Sequence, residues 1–131
     1  MENQQLIKKL LEGAKIAHHQ RNYLLQYKKL HKAGEILENE ENYEEAAKLF
    51  KAAAKVCGKL KKMEDGIKDG ERACYCYLKA GLHLESIRLY DSMVKILEQN
   101  GWVEKAELLR RKRTRIMRKY GIEIKHGREF L

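Results

Sequence analysis

The sequence predicts an all-α chain, an α-solenoid of five or six antiparallel helices, and three observations carry that prediction. Apolar residues recur at helical spacing over nearly the whole length. Breaks rich in Gly and Asn return about every 20 residues, as they do between short helices joined by tight turns. The 131 residues include no proline, the residue that disrupts helix interiors. No segment alternates with the two-residue period of a strand over a useful length.

The elements follow in order. Leu6, Leu10, Ala14 and Ala17 form a first stripe, and Tyr23, Tyr27, Leu30, Ala33/Gly34 and Leu37 a second. Tyr43, Ala46/Ala47, Phe50, Ala53/Ala54 and Cys57 form a third. Ile67, Ala73/Cys74 and Tyr77/Leu78 mark a fourth; Leu84, Ile87, Tyr90, Met93/Val94 and Leu97 a fifth. Trp102, Ala106, Leu109, Ile116 and Tyr120 close the series. The predicted turns lie at His19–Asn22, Asn39–Asn42, Lys61–Gly66, Ala80–Leu82, Asn100–Gly101 and Gly121. Gly and Asn there suit the left-handed residue that ends a helix. A large side chain recurs just after or within each break: Tyr23, Tyr43, Met63, His83, Trp102 and Ile122, at spacings of 20, 20, 20, 19 and 20. Residues 1–120 read as one domain and 121–131 as a short tail.

An internal repeat sharpens the architecture. Glu45-Ala46-Ala47-Lys48-Leu49-Phe50 matches Glu85-Ser86-Ile87-Arg88-Leu89-Tyr90 position for position. In the same register Ala33 meets Ala73, Gly34 meets Cys74, Leu37 meets Tyr77, Ala53 meets Met93 and Val56 meets Ile96. Small residues let helix backbones approach and a bulky one fills the gap between hairpins, so such units bury their apolar faces only by stacking. Gly34, Leu37, Ala46, Phe50 and Ala53, with the looser copy Cys74, Tyr77, Ser86, Tyr90 and Met93, resemble the tetratricopeptide (TPR) family. Trp102, Ala106 and Leu109 look like the opening of a third unit, and the likeness runs from about Tyr27 to Arg110. Longer hairpins than the usual repeat of about 34 residues are more similar to the TPR-like helices of soluble NSF attachment proteins. The resemblance implies a non-catalytic scaffold that holds a protein or peptide segment in a concave surface lined by the first helix of each pair. Carried over residue by residue, it places His31, Glu35, Glu71, Tyr75 and Lys79 there, joined by Glu107, Arg110 and Arg111.

Charge is unevenly spread. The chain carries 28 Lys+Arg against 19 Asp+Glu, a net +9, of which residues 100–131 supply +6. Glu35 to Glu45 holds six glutamates and no base, read as solvated surface around a turn. On the last helix Arg110, Arg111, Lys112, Arg115, Arg118 and Lys119 fan away from the apolar stripe, and Arg113 falls within it. That basic patch is either a solubilising cap, whose late cations suit the helix dipole, or a surface for nucleic acid or an acidic partner. The 4-3-4-3-4 spacing of Trp102, Ala106, Leu109, Arg113, Ile116 and Tyr120 adds self-association through 102–120 as a third expectation.

Other classes have little behind them. No Ser/His/Asp order, phosphate-cradling Gly run or His-Glu-x-x-His helix occurs, so no catalytic residues and no cofactor are expected. Cys57, Cys74, Cys76 and His83 do not make a zinc site on spacing, since Cys74 and Cys76 diverge by about 200° on a helix. His18 and His19 diverge by about 100° and sit in a last turn. An odd count of three cysteines reads as buried thiols. No apolar run approaches the roughly 18 residues of a membrane span, and the first residues lack the order of a secretion signal. A cytoplasmic protein without membrane insertion is the expectation.

Overall fold

The computed structural model describes residues 2–122 and consists of six helices, with no strand among the described residues. They are α1 (Glu2–His19), α2 (Tyr23–Asn39), α3 (Tyr43–Leu60), α4 (Met63–Lys79), α5 (His83–Gln99) and α6 (Val103–Lys119). Of the expected tail 121–131, all but Gly121 and Ile122 lies outside the described residues.

Every helix ends in the same turn. The residue after the last helical turn takes positive φ at Arg21, Glu41, Lys61, Gly81, Gly101 and Gly121. The next N–H, of Asn22, Asn42, Lys62, Leu82, Trp102 and Ile122, donates to the carbonyl five positions back at 2.8–3.0 Å. This is the Schellman arrangement, which satisfies carbonyls the helix leaves open. Both series advance by one constant step from Arg21 to Gly121 and from Asn22 to Ile122, so each following helix begins as soon as the turn closes.

That regularity corrects two details of the sequence reading. Gly66 does not belong to a turn; it lies within α4, where a Cβ would stand 3.1 Å from the Cys57 Cβ and 3.4 Å from the Ala54 carbonyl. The glycine is there for close helix approach. Trp102 is not the counterpart of Tyr23, Tyr43, Met63 and His83; it is the N-cap, and Val103 opens the helix. The break in the otherwise even spacing came from that slip of a single position.

The described residues fall into two compact units, divided between Leu82 and His83. In the first, α1 packs on α2, α2 on α3 and α3 on α4. This is the nearest-neighbour packing of an α-helical repeat. Phe50 of α3 is fully buried against Gly34 of α2, where a Cβ would lie 3.1–3.2 Å from the ring. A second cluster joins Ala14 of α1, Leu30 of α2, and Ala53 and Val56 of α3. The aromatic residue opening one helix is covered from the end of the next: Lys59 Nζ lies 4.7 Å over the Tyr23 ring and Lys79 Nζ 5.7 Å over that of Tyr43.

The second unit is the α5–α6 hairpin. Ala106 and Leu109 are fully buried, Arg113 pairs with Asp91, and the Tyr120 and His83 rings stack at 3.8 Å. Four members of the proposed 102–120 self-association stripe are therefore engaged within the hairpin. The repeat equivalence of Val56 and Ile96 does not hold in burial, since Val56 is covered and Ile96 exposed; Val94 and Leu97 are the covered residues there.

Candidate interaction surface

The most connected polar cluster of the first unit joins α2 to α4. Asp69 of α4 is 3% exposed, and it holds its place because two α2 side chains reach it. The Tyr27 hydroxyl donates to its carboxylate, and His31 Nδ1 lies 3.1 Å from Oδ2. A carboxylate only accepts, so His31 Nδ1 carries the proton in that contact. Burial pushes the Asp69 carboxyl above its ordinary range, and His31, Tyr27 and Arg72 oppose the rise without cancelling it. Burial, reinforced by the Asp69 charge, likewise drives the Tyr27 hydroxyl far up.

One turn further along, Arg72 of α4 forks between two acids of α2. Its Nε donates to Glu38 at 2.8 Å and Nη1 lies 3.5 Å from Glu35. The guanidinium also sits 4.5 Å over the Phe50 ring of α3, and His31 meets the same ring edge-on at 5.6 Å. Phe50 is thus covered by one cation and one imidazole, a cation–π contact added to an apolar core contact. Burial alone would lower the Arg72 pKa, but Glu38 and Glu35 outweigh it and raise it.

His31 has Asp69 3.1 Å from Nδ1 and Glu35 3.5 Å from Nε2. The Cys57 thiol is pushed up to about 11 by burial and by Asp69, the opposite of an activated nucleophile. Cys76 is also raised to about 11, by burial first and then by Glu38. Among the described residues no group of three or more His, Cys, Asp or Glu side chains is placed to hold a metal ion.

The residues singled out from the sequence therefore divide. His31 and Glu35 come together, joined by Tyr27, Glu38, Asp69 and Arg72, which the sequence reading did not single out as site residues. Glu71 is half-buried and engaged, Tyr75 is 49% exposed, and Lys79 covers Tyr43. Glu107, Arg110 and Arg111 belong to the second unit. There Glu107 lies 3.2 Å from Arg110 and 3.7 Å from Arg111, and Arg110 also pairs with Glu98. Of the basic patch, Lys112 is half-buried and engaged, and Lys119 lies 5.4 Å over the Tyr120 ring. Arg115 and Arg118 are exposed and have no ion-pair partner among the described residues.

One signal could have found Asp69. It lies at helical spacing from Ala73 and Cys76 (i, i+4, i+7), so a carboxylate was due on a buried stripe.

The fold and this surface define a class, an all-α protein in each of whose two units consecutive helices pack on one another, and none of the described helices is long and apolar enough to cross a membrane. No protein-family model matches the chain, and neither the curated proteins nor the solved structures contain a significant match.

Proposed function

We propose that the chain is a TPR-like helical repeat, nearer the longer-hairpin soluble NSF attachment protein-like variety, acting in the cytoplasm as a non-catalytic scaffold for a protein or peptide segment. The observation that supports this most is the α2–α4 brace: two first helices, tied by His31–Asp69 and by Arg72 to Glu35 and Glu38, beside an exposed Tyr75. A surface whose side chains are already ordered loses less entropy when a partner binds. Tyrosine is a suitable anchor, combining apolar area with a directed hydroxyl.

The experiment is affinity capture with the intact chain, with Tyr75→Ala, and with Arg115→Glu/Arg118→Glu, each with and without nuclease. Retention of a protein that survives nuclease and is lost with Tyr75→Ala supports the scaffold reading. Retention that ignores Tyr75→Ala and disappears on nuclease treatment sinks it.

The second reading, nucleic-acid or acidic-partner binding through 105–119, draws on Arg115 and Arg118 alone having neither carboxylate nor ring beside them. With Lys119 they offer three phosphate contacts, so log affinity for duplex DNA would fall with log salt at a slope of roughly −2.7. The internal pairing of Arg110, Arg111 and Arg113 makes this patch smaller than the sequence count implies.

A further inference from the structure

Beyond their first turns, α2 exposes Lys28, Lys32 and Asn39, and α4 exposes Lys68, Tyr75 and Lys79. No acid is among them. In the register of the internal repeat Lys28 matches Lys68, Lys32 matches Arg72, Glu35 matches Tyr75 and Asn39 matches Lys79. On each helix those four residues fall within a sector of about 60°. Both helices run the same way, since each folds back on α3, so the two sectors open on one side.

The acids of α2 and α4 next to this face are drawn inward. Arg72 holds Glu35 and Glu38, whose side chains are 36% and 20% exposed. Asp69 is buried against His31, and Glu71 is half-buried and engaged. Lys28, Lys32 and Lys68, by contrast, have neither a carboxylate nor a ring beside them among the described residues. The other helices of this unit differ. On α3, Lys48 lies 3.4 Å from Glu44 and Lys59 covers Tyr23; on α1, exposed Glu12 stands within a turn of Lys8 and Lys9.

We propose, resting on the scaffold reading, that this face of α2 and α4 binds an acidic segment of a partner protein. Its carboxylates lie on Lys28, Lys32 and Lys68, and an apolar side chain lies against Tyr75. Charge selects the occupant. A carboxylate arriving here meets ammonium groups that nothing in the chain neutralises, and electrostatic complementarity of this kind sets partner choice and association rate. A nucleic-acid strand carries a charge at every step, so along the face it would set phosphates over Glu35 as well as over the lysines. A peptide puts its acids only where the lysines are. Tyr75 follows Lys68 by two turns on one face of α4, about 10 Å along the axis. A segment extended along α4 therefore needs an apolar residue about three places from an acid.

Fluorescence anisotropy with the intact chain tests this, using three labelled probes: a peptide of Glu-Glu-Leu repeats, its Gln-Gln-Leu counterpart, and an oligothymidylate of similar length. The acidic peptide binds with a Kd of about 10–100 μM at low salt, and the Gln-Gln-Leu peptide at least about tenfold more weakly. Lys28→Glu/Lys68→Glu weakens the acidic peptide at least about tenfold and Lys28→Gln/Lys68→Gln about threefold, each with an unchanged far-ultraviolet circular dichroism spectrum. Lys8→Glu/Lys55→Glu makes the same change in net charge on α1 and α3, and weakens it less than about twofold. The proposal is overturned if the acidic peptide does not bind at about 1 mM, or if the two charge reversals act alike. It is also overturned if oligothymidylate binds more tightly than the peptide and responds to Lys28→Glu/Lys68→Glu. A captured protein that is lost with Tyr75→Ala but kept with Lys28→Glu/Lys68→Glu overturns the acidic partner and leaves the scaffold standing. Should the glutamate variant unfold, the glutamine pair decides by itself.

Discussion

Replacing Gly34 with Ala puts a methyl group into the close contact between α2 and the Phe50 ring of α3. Its Cβ would stand 3.1 Å from Phe50 Cε1 and 3.2 Å from Cδ1 and Cζ, so the ring must yield by a few tenths of an ångström. The ring has little room to do so. It is 0% exposed, with the Arg72 guanidinium 4.5 Å from its centre and the His31 ring 5.6 Å away. Overpacking of this kind costs about 1–3 kcal/mol, while exchanging a mid-helix glycine for alanine returns about 1 kcal/mol. The net expectation is a loss of up to about 2 kcal/mol, centred near about 1 kcal/mol. Phe50→Leu shortens the ring and removes the clash, so Gly34→Ala added to that background should stabilise by up to about 1 kcal/mol. The coupling between the two positions is then about 2 kcal/mol. Urea unfolding followed by far-ultraviolet circular dichroism on the four proteins of the cycle measures it. A stabilising Gly34→Ala in the wild type, or effects that add within about 0.5 kcal/mol, would refute the claim that ring and backbone are in hard contact.

Three further outcomes follow from the same geometry. Asp69→Ala strands the Tyr27 hydroxyl and the His31 ring, at a cost of about 1–3 kcal/mol. Because burial raises the Asp69 carboxyl in the fold, its contribution is fullest in acid and is lost as pH rises through the raised value. Asp69→Asn should therefore compare better with the wild type at pH 7 than at pH 4, and a difference that runs the other way contradicts the assignment. At the turns, Arg21→Gly, Glu41→Gly and Lys61→Gly each relieve a left-handed side chain and should stabilise by about 0.5–1 kcal/mol. Gly81→Ala and Gly101→Ala, at φ of 80° and 79°, should cost about 1–2 kcal/mol in thermal or urea melts. With thiols held up to about 11 at Cys57 and Cys76, only about 0.1% is thiolate at pH 8. Native protein should react with Ellman's reagent far more slowly than urea-unfolded protein, and equal rates would mean the cysteines are not buried.

The helices were legible because two periodicities agree: apolar stripes at helical spacing, and left-handed turns that return at a constant step, one per helix. Where the reading slipped, one residue had two physical uses. Gly66 resembles a turn residue, yet it serves the α3–α4 contact; Trp102 resembles the aromatic that opens a helix, yet it precedes one. The polar brace was only half legible. His31 and Glu35 share one helix face by their i, i+4 spacing, but the Asp69 and Arg72 that they meet lie two helices further along the chain, and nothing local pairs them. Arg113 was visible as an exception within an apolar stripe, and its carboxylate, Asp91, emerged only with the packing of α5 on α6.

The turns recur with every helix, whereas the match between helix faces recurs only with every second one. The chain thus carries a parity. Excising one helix with its turn would leave every remaining turn intact, yet it would reverse the direction of each later helix and present the wrong face to its neighbour. Excising two in succession would restore both. The smallest segment that can be lost, duplicated or grafted with the register preserved is therefore the pair, and a chain with an odd number of helices removed should fail even though no single turn in it is at fault.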